Sequence, residues 1–251
     1  MNLTDKTAIV TGASRGMGLE ICKALASQGM RLALVARHPA RLEAAAEQVR
    51  ACGGQAITIP TDIRSWEAVE RMARQAVEHF GTVDVLVNSA FWGPPGSLEQ
   101  TTPEFWDNTL NTTLRGAFFC CRAVAPIMTA AGAGRIINIG SLAGKVGEDN
   151  RTAYCAAKWG LEGLSAALSE ELGKRGIHVH LISPAATDTA WWREVGAQLT
   201  PQVLERMIPP QVIAEAVVWV LQQPDQVHIP DLPIYNFRNP FEGKGSPFES
   251  D

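Results

Sequence analysis

The chain has 251 residues, 46% apolar and 19% charged, a length and balance that suit one substantial α/β core and exclude a disordered chain. Its formal net charge is −4 with no dense Lys/Arg run, which argues against a nucleic-acid surface, because phosphate binding needs a basic patch. No apolar stretch approaches the ~18 uninterrupted residues of a membrane span, and the N-terminus lacks a signal peptide's apolar segment, so a cytoplasmic protein is expected.

Strands and helices alternate along the whole chain. Strand patterns fall at 7–11, 31–36, 55–63, 83–89, 135–141, 178–185 and 227–235. Helical patterns fall at 16–29, 39–51, 65–80, 103–129, 151–174 and 212–222, with Ser65 placed to cap the third of them. Seven strands joined by helices predict right-handed βαβ units and one doubly wound parallel sheet of the Rossmann type, covered on both faces. The expected single domain spans 1–235. Its longest irregular stretch, 186–210, reads as a lid over a site. The tail, 236–251, reads as an extended segment, disordered or lying against a neighbouring subunit.

The first strand runs into Thr11-Gly12-Ala13-Ser14-Arg15-Gly16-Met17-Gly18, and a helix follows. Gly12 allows the tight turn, Gly16 lets backbone approach a pyrophosphate, and Gly18 lets helix and strand pack closely. The helix N-terminus offers free N–H groups to phosphate. The second strand ends Val35-Ala36-Arg37-His38 with no acid to accept from a ribose hydroxyl. Arg37 and Arg15 can instead pair with a 2′-phosphate, which favours NADPH over NADH. Asp62, after the third strand, is either an acceptor for the adenine amino group or an ordinary turn residue.

Tyr154 and Lys158 are four apart on a predicted helix and so share a face. Ser141 ends the fifth strand, and Asn111 lies inside the long helix after the fourth. This set, a T-G-x-x-x-G-x-G turn, a Ser, a Y-x-x-x-K and a helical Asn in that order, resembles the short-chain dehydrogenase/reductase family over residues 3 to about 235. The resemblance implies a NADP(H)-dependent oxidoreductase that interconverts a ketone and a secondary alcohol. Tyr154 would be the acid/base and Ser141 the anchor of the substrate oxygen. Lys158 would bind the nicotinamide ribose, and Asn111 would hold a water linking Lys158 to solvent. A free tyrosine titrates near pH ~10, and bringing it to neutrality takes about 4 kcal/mol of phenolate stabilisation. The Lys158 ammonium is expected to supply part of it.

Three stretches depart from the family pattern. Asn88-Ser89-Ala90-Phe91 has a phenylalanine where relatives carry glycine, so Phe91 either points away or reshapes the pocket. Pro184-Ala185 replaces Pro-Gly, with Thr187 and Thr189 still available to the cofactor. Pro230-Asp231-Leu232-Pro233 replaces Asp-Gly-Gly. Asn88, Ala90, Ser14, Pro184, Thr187 and Thr189 complete the expected cofactor contacts. Phe91, Trp92, Val146, Trp159, Trp191 and Trp192 lie in segments that line the cleft of similar proteins and suit a bulky apolar or aromatic ketone. Trp191 and Trp192 are adjacent and are not expected to share one helix face.

Reduction of 3-oxoacyl groups on acyl carrier protein is a second reading, weakened because 127–134 holds no Lys or Arg to dock an acidic partner. A non-catalytic NADPH sensor is a third. Leu161, Leu164, Ala167 and Leu168 form an apolar stripe that serves either a homotetramer or dimer interface or the sheet-facing side of a monomer. The five cysteines have no metal-ligand spacing and read as reduced thiols, with Cys120 and Cys121 as packing groups. His178 and His180 share a strand face but read as polar strand-edge residues. No metal is expected.

Overall fold

Strand β1 (Thr7–Thr11) is buried along its entire length, and its alternate residues explain why Ala8, Ile9 and Val10 are all apolar. Ala8 and Val10 pack into one core, and Ile9 packs into another on the opposite face. The computed structural model describes residues 1–242. Within them β2 (Arg31–Ala36), β3 (Gln55–Pro60), β4 (Val85–Asn88), β5 (Gly134–Ile139), β6 (Ile177–Pro184) and β7 (Asp231–Ile234) join β1. The order is β3-β2-β1-β4-β5-β6-β7, and every pairing is parallel.

Helices α1 (Gly16–Ser27), α2 (Pro39–Ala51) and α9 (Pro210–Gln222) cover one face through Leu25, Leu42 and Val217. Helices α3 (Trp66–Phe80) and α5 (Gly116–Ala131) cover the other through Met72, Cys120, Cys121 and Val124. Helix α6 (Thr152–Gly173) lies beside α5 and adds Leu172 to that core. Ser65 caps α3 by accepting from the Ala68 amide, and Gly81 ends it at φ 84°.

The long helix expected at 103–129 is broken. Helix α4 (Pro103–Leu110) gives way to a π turn over Asn111–Arg115 before α5 begins. Such one-turn insertions occur often at functional sites, and this one starts at the asparagine singled out above. The combined run Pro103–Ala131 holds an 18-residue window of mean hydropathy 1.2, but Glu104, Asp107, Arg115 and Arg122 interrupt the run, as expected of a helix that packs on a sheet. Its inner side, Cys120, Cys121, Val124 and Met128, is buried on the sheet.

The 186–210 stretch is also more regular than expected. It carries α7 (Ala190–Glu194) and α8 (Pro201–Leu204), and Thr187 bridges to Ile208. The apolar stripe on α6 is divided: Leu161 is buried, Leu164 and Leu168 are half-buried and Ala167 is exposed. Leu161 packs with Ala117 and Leu181, Leu164 joins them, and Leu168 packs against the core under α3 and α5. The outward aromatics of this region are Phe118 and Trp159, the latter 53% exposed.

Candidate active site

The strand order reverses between β1 and β4, and a ligand crevice is expected at that switch, outside the carboxyl ends of the strands. A cleft lies there, lined by the Gly12–Gly18 turn, the end of β2, and Asp62, Ala90 and Thr189. Gly12 sits at φ 69°, and a Cβ on it would stand 2.9 Å from the Ala90 Cα. A Cβ on Gly18 would meet the Gly12 carbonyl at 2.3 Å. Both observations explain why these two positions carry glycine. The N-terminus of α1 has no side-chain cap, so its N–H groups remain available to an anion.

Arg15, Arg37 and Arg41 converge on this cleft. Burial, followed by the charges of Arg41 and Arg37, holds the Arg15 guanidinium below its ordinary pKa. Three cations crowded together without a full set of acids form a site for a multiply charged anion. Arg41 was not foreseen. It lies in the first turn of α2, where its position among exposed helix charges gives no signal in the sequence. Arg15 pairs with Glu194 of α7, so the lid is tied to the turn. Asp62 lines the cleft, but its carboxylate is taken by Arg64, at 2.6 Å, and by the Arg64 amide. These bonds hold its pKa below the usual carboxylate range. The turn role is therefore present in full.

Three expected cofactor residues lie elsewhere than in this cleft. Asn88 is buried and turned sideways, donating to Asn138 Oδ1 at 2.9 Å and to Cys121 Sγ. It ties β4 to β5 and does not line either cavity. Thr187 and Pro184 line the adjoining cavity, and the Thr187 hydroxyl donates to the Ala185 carbonyl.

That second cavity has a volume of about 720 Å³. At its floor Ser141, Tyr154 and Lys158 come together. Ser141 follows β5, where extended backbone gives way to a 3-10 turn, Leu142–Gly144, and its Oγ accepts from the Ala143 amide at 3.1 Å. The Ser141 side chain also acts on the Tyr154 phenol, favouring its ionised form as a hydrogen-bonding neighbour. Lys158 Nζ donates to the Ile139 carbonyl at 2.7 Å and is 96% buried, being 4% exposed. Asn111 stands at the start of the π turn, outside the residues that line this cavity.

The electrostatics correct one expectation. Burial pushes the Tyr154 phenol above its ordinary pKa, and what pulls it back is first the charge of Arg151 and then the Ser141 hydrogen bond. Lys158 is itself desolvated, and burial, aided by Arg151, brings it down to about 7. An amine near half charge at neutrality is a weak partner for a phenolate. Two cations lie over the Tyr154 ring: Lys158 Nζ at 5.6 Å from its centroid, and the Arg151 guanidinium carbon nearer, at 4.2 Å, and 5.2 Å from the Trp191 centroid. Arg151 is buried, and its Nε has no partner. Sequence reading took it only as the start of a helix.

The aromatic wall is partly as expected. Phe91 stands between the two cavities, 6.0 Å from the Tyr154 ring and 5.7 Å from that of Trp191. It therefore reshapes the pocket and does not point away. Val146, Trp191 and Trp192 line the second cavity. Both tryptophans reach it because α7 is a single short helix and their rings stack edge-on at 5.1 Å. Trp92 does not reach it. Its ring packs on Phe105 at 5.0 Å and its backbone is pinned to Thr113. Trp159 is on the outer face. The end of the domain and the start of the tail, expected to be extended and disordered or against a neighbouring subunit, instead bring Tyr235, Asn236, Asn239 and Phe241 over the cavity of their own chain, with Asn236 donating to the carbonyls of Ala186 and Arg206. The rest of the expected tail, 243–251, lies outside the described residues.

A family model for short chain dehydrogenases matches residues 6–200. The chain belongs to this family. It is 35% identical over 224 residues to a D-threitol dehydrogenase of Mycolicibacterium smegmatis, covering 87% of this chain and 86% of that one. An uncharacterized oxidoreductase of Staphylococcus saprophyticus is 32% identical, over 93% of this chain and 98% of its own length. Among solved structures, a metagenomic short-chain oxidoreductase in complex with NADP superposes with a TM-score of 0.82 at 35% identity, covering 95% and 100% of the two chains. An actinorhodin polyketide ketoreductase variant with NADPH gives 0.84 at 31%, covering 92% and 96%. The chain is thus an oxidoreductase of the short-chain dehydrogenase family with a Rossmann-type fold.

Proposed function

We propose that the protein reduces a bulky, apolar or aromatic ketone to a secondary alcohol with NADPH, and runs the reverse reaction under alcohol excess. The observation that carries this reading is the joint geometry of Ser141, Tyr154 and Lys158 at the floor of a cavity that adjoins a cleft with three arginines. The glycine turn and the uncapped N-terminus of α1 suit the pyrophosphate of a dinucleotide, and Arg15, Arg37 and Arg41 suit a 2′-phosphate. NADPH, when bound, supplies the hydride. The two neighbours with NADP or NADPH support the same choice.

Ser141 holds the substrate oxygen beside the Tyr154 phenol, and Tyr154 donates the proton that turns the developing alkoxide into an alcohol. Arg151 and Ser141 moderate the cost of the resulting buried phenolate. Lys158, fixed on the Ile139 carbonyl, holds the ribose of the cofactor, and its pKa near 7 lets it pass a proton at working pH. Asn111, at the opening of the π turn, holds the water that links Lys158 to solvent. Phe91, Trp191, Trp192 and Phe241 exclude bulk water and favour a flat, apolar substrate.

Glu148 and Asp149 also line the cavity. Their charge opposes an acidic carrier protein, so a free small ketone is favoured over a 3-oxoacyl carrier substrate. The exposed Phe118 and Trp159 suit a homo-oligomeric contact through α5 and α6. The test is a panel of aryl ketones, diketones, quinones and 3-oxoacyl thioesters with NADPH and with NADH. The proposal expects aryl ketones to be turned over best, with NADPH. Turnover confined to 3-oxoacyl thioesters, or tight NADPH binding with no turnover on any carbonyl, would overturn it.

A further inference from the structure

The histidines of β6 have a third partner. His178 and His180 stack with ring centroids 5.9 Å apart and an interplanar angle of 11°. His228, three residues before β7, closes the group at 5.3 Å from His180 and 5.8 Å from His178. A ring nitrogen of each lies within 4.8 Å of one from each of the others.

His180 gives the cluster its direction. Its ring is buried, at 1% exposure. Its Nδ1 lies 2.7 Å from the Ile229 carbonyl. A carbonyl only accepts, so Nδ1 carries the hydrogen and Nε2 carries the lone pair. That Nε2 is buried and has no partner. Leaving a buried acceptor unpaired is costly, and a histidine whose second nitrogen is fixed on a carbonyl is the usual form of a metal ligand. His228 is likewise held from outside the cluster, its Nε2 being 3.0 Å from Ser169 Oγ on α6.

We propose that His178, His180 and His228 form a binding site for a divalent transition ion of the zinc type, with water as the remaining ligand. Three neutral imidazoles favour zinc over magnesium or calcium, which take oxygen ligands. The nearby Arg135 guanidinium does not stand as a bare charge, because Asp225 and the carbonyls of Val220 and Gln223 hold it. Separation of the rings is modest: zinc–nitrogen bonds of about 2.0–2.1 Å require the nitrogens to draw together. The exposed His228 and half-buried His178 have room to do so.

The site lies at the amino ends of the strands, since His178 and His180 fall near the start of β6, whereas the cavities lie at the carboxyl ends. Its role is therefore structural. It clamps the loop before β7, a four-residue edge strand, onto β6.

Untagged protein, stripped with chelator, is titrated with Zn²⁺ while thermal unfolding is followed, and with Co²⁺ while visible absorption is followed. The expected result is a rise in Tm of about 3 °C or more with Zn²⁺ and tetrahedral Co²⁺ bands. His228→Ala and His178→Gln, both away from the buried core, should weaken binding at least tenfold, while turnover of NADPH with a ketone stays within twofold. Absence of binding in the wild type would overturn the proposal. So would equal binding by His228→Ala, or binding lost instead in Cys52→Ser, the variant of the exposed thiol.

Discussion

The guanidinium carbon of Arg151 lies 4.2 Å from the centre of the Tyr154 ring, and its charge is the first influence that offsets the burial of the phenol. Tyr154 is buried, so its ionised form needs a compensating charge. Replacing Arg151 with leucine removes that charge and raises the phenol's pKa. Tyr154 must be protonated to donate, so ketone reduction in Arg151→Leu should persist to higher pH, its alkaline limb moving up by about one unit. Arg151→Lys keeps a charge and should recover part of the wild-type profile. An unchanged limb in both variants would mean that Arg151 only packs. The pH dependence of kcat checks this.

Lys158 should show its burial in the pH dependence of stability. Its pKa is about 7 in the folded chain and about 10.4 in an unfolded one. Between these values the unfolded state binds more protons, so the wild type gains stability as pH rises from 7 toward 10. Below pH 7 the folded state carries the full penalty of a buried ammonium. Lys158→Met lacks this penalty. Its Tm relative to wild type should therefore be more favourable at pH 6 than at pH 9.5, by several degrees, while activity is lost. Thermal unfolding at the two pH values, without added nucleotide, measures the difference.

Arg15 is paired with Glu194, and in the proposed function that pair would compete with the cofactor phosphate for the guanidinium. Both groups are about half exposed, so the pair is worth at most about 1 kcal/mol. Glu194→Gln should bind NADPH about 2–5-fold more tightly and leave NADH nearly unchanged. Arg41→Ala should act oppositely, weakening NADPH by about tenfold or more through loss of one charge-assisted bond. Titration calorimetry with each nucleotide distinguishes the two effects.

Gly93 packs directly against the Tyr154 ring. A Cβ there would stand 2.7 Å from Tyr154 Cδ2, closer than atoms tolerate, so the ring must move. Gly93→Ala should lower kcat by about 10–100-fold, since small misplacements of a reacting group are costly, while NADPH affinity holds. A kcat within twofold of wild type would show that the ring accommodates the methyl group.

What the sequence makes legible follows periodicity and spacing. The seven strands, the glycine turn, and the helical pairing of Tyr154 with Lys158 are local patterns, and the structure contains all three. Ser141 is close in sequence to the strand end that carries it. What escapes is set by tertiary contact. Arg41 and Arg151 look like ordinary helix-terminal charges until the fold turns them into a cleft. Trp92 faces Phe105 because Thr113, from the π turn, pins its backbone, and no period announces that turn. The return of Tyr235–Phe241 over the cavity depends on Asn236 finding the carbonyls of Ala186 and Arg206, a pairing between distant segments. Asn88 was assigned to the cofactor by position, but Asn138 on the next strand claims its side chain.

The most direct test of the account is the rate of NADPH oxidation by an aryl ketone, measured for the wild type and for Tyr154→Phe at equal, saturating NADPH. Phenylalanine keeps the ring and its contact with Arg151 but cannot donate a proton. The account predicts turnover by the wild type and a loss of about 10³-fold or more in the variant, with NADPH still bound. Turnover by Tyr154→Phe within tenfold of wild type would contradict Tyr154 as the proton donor.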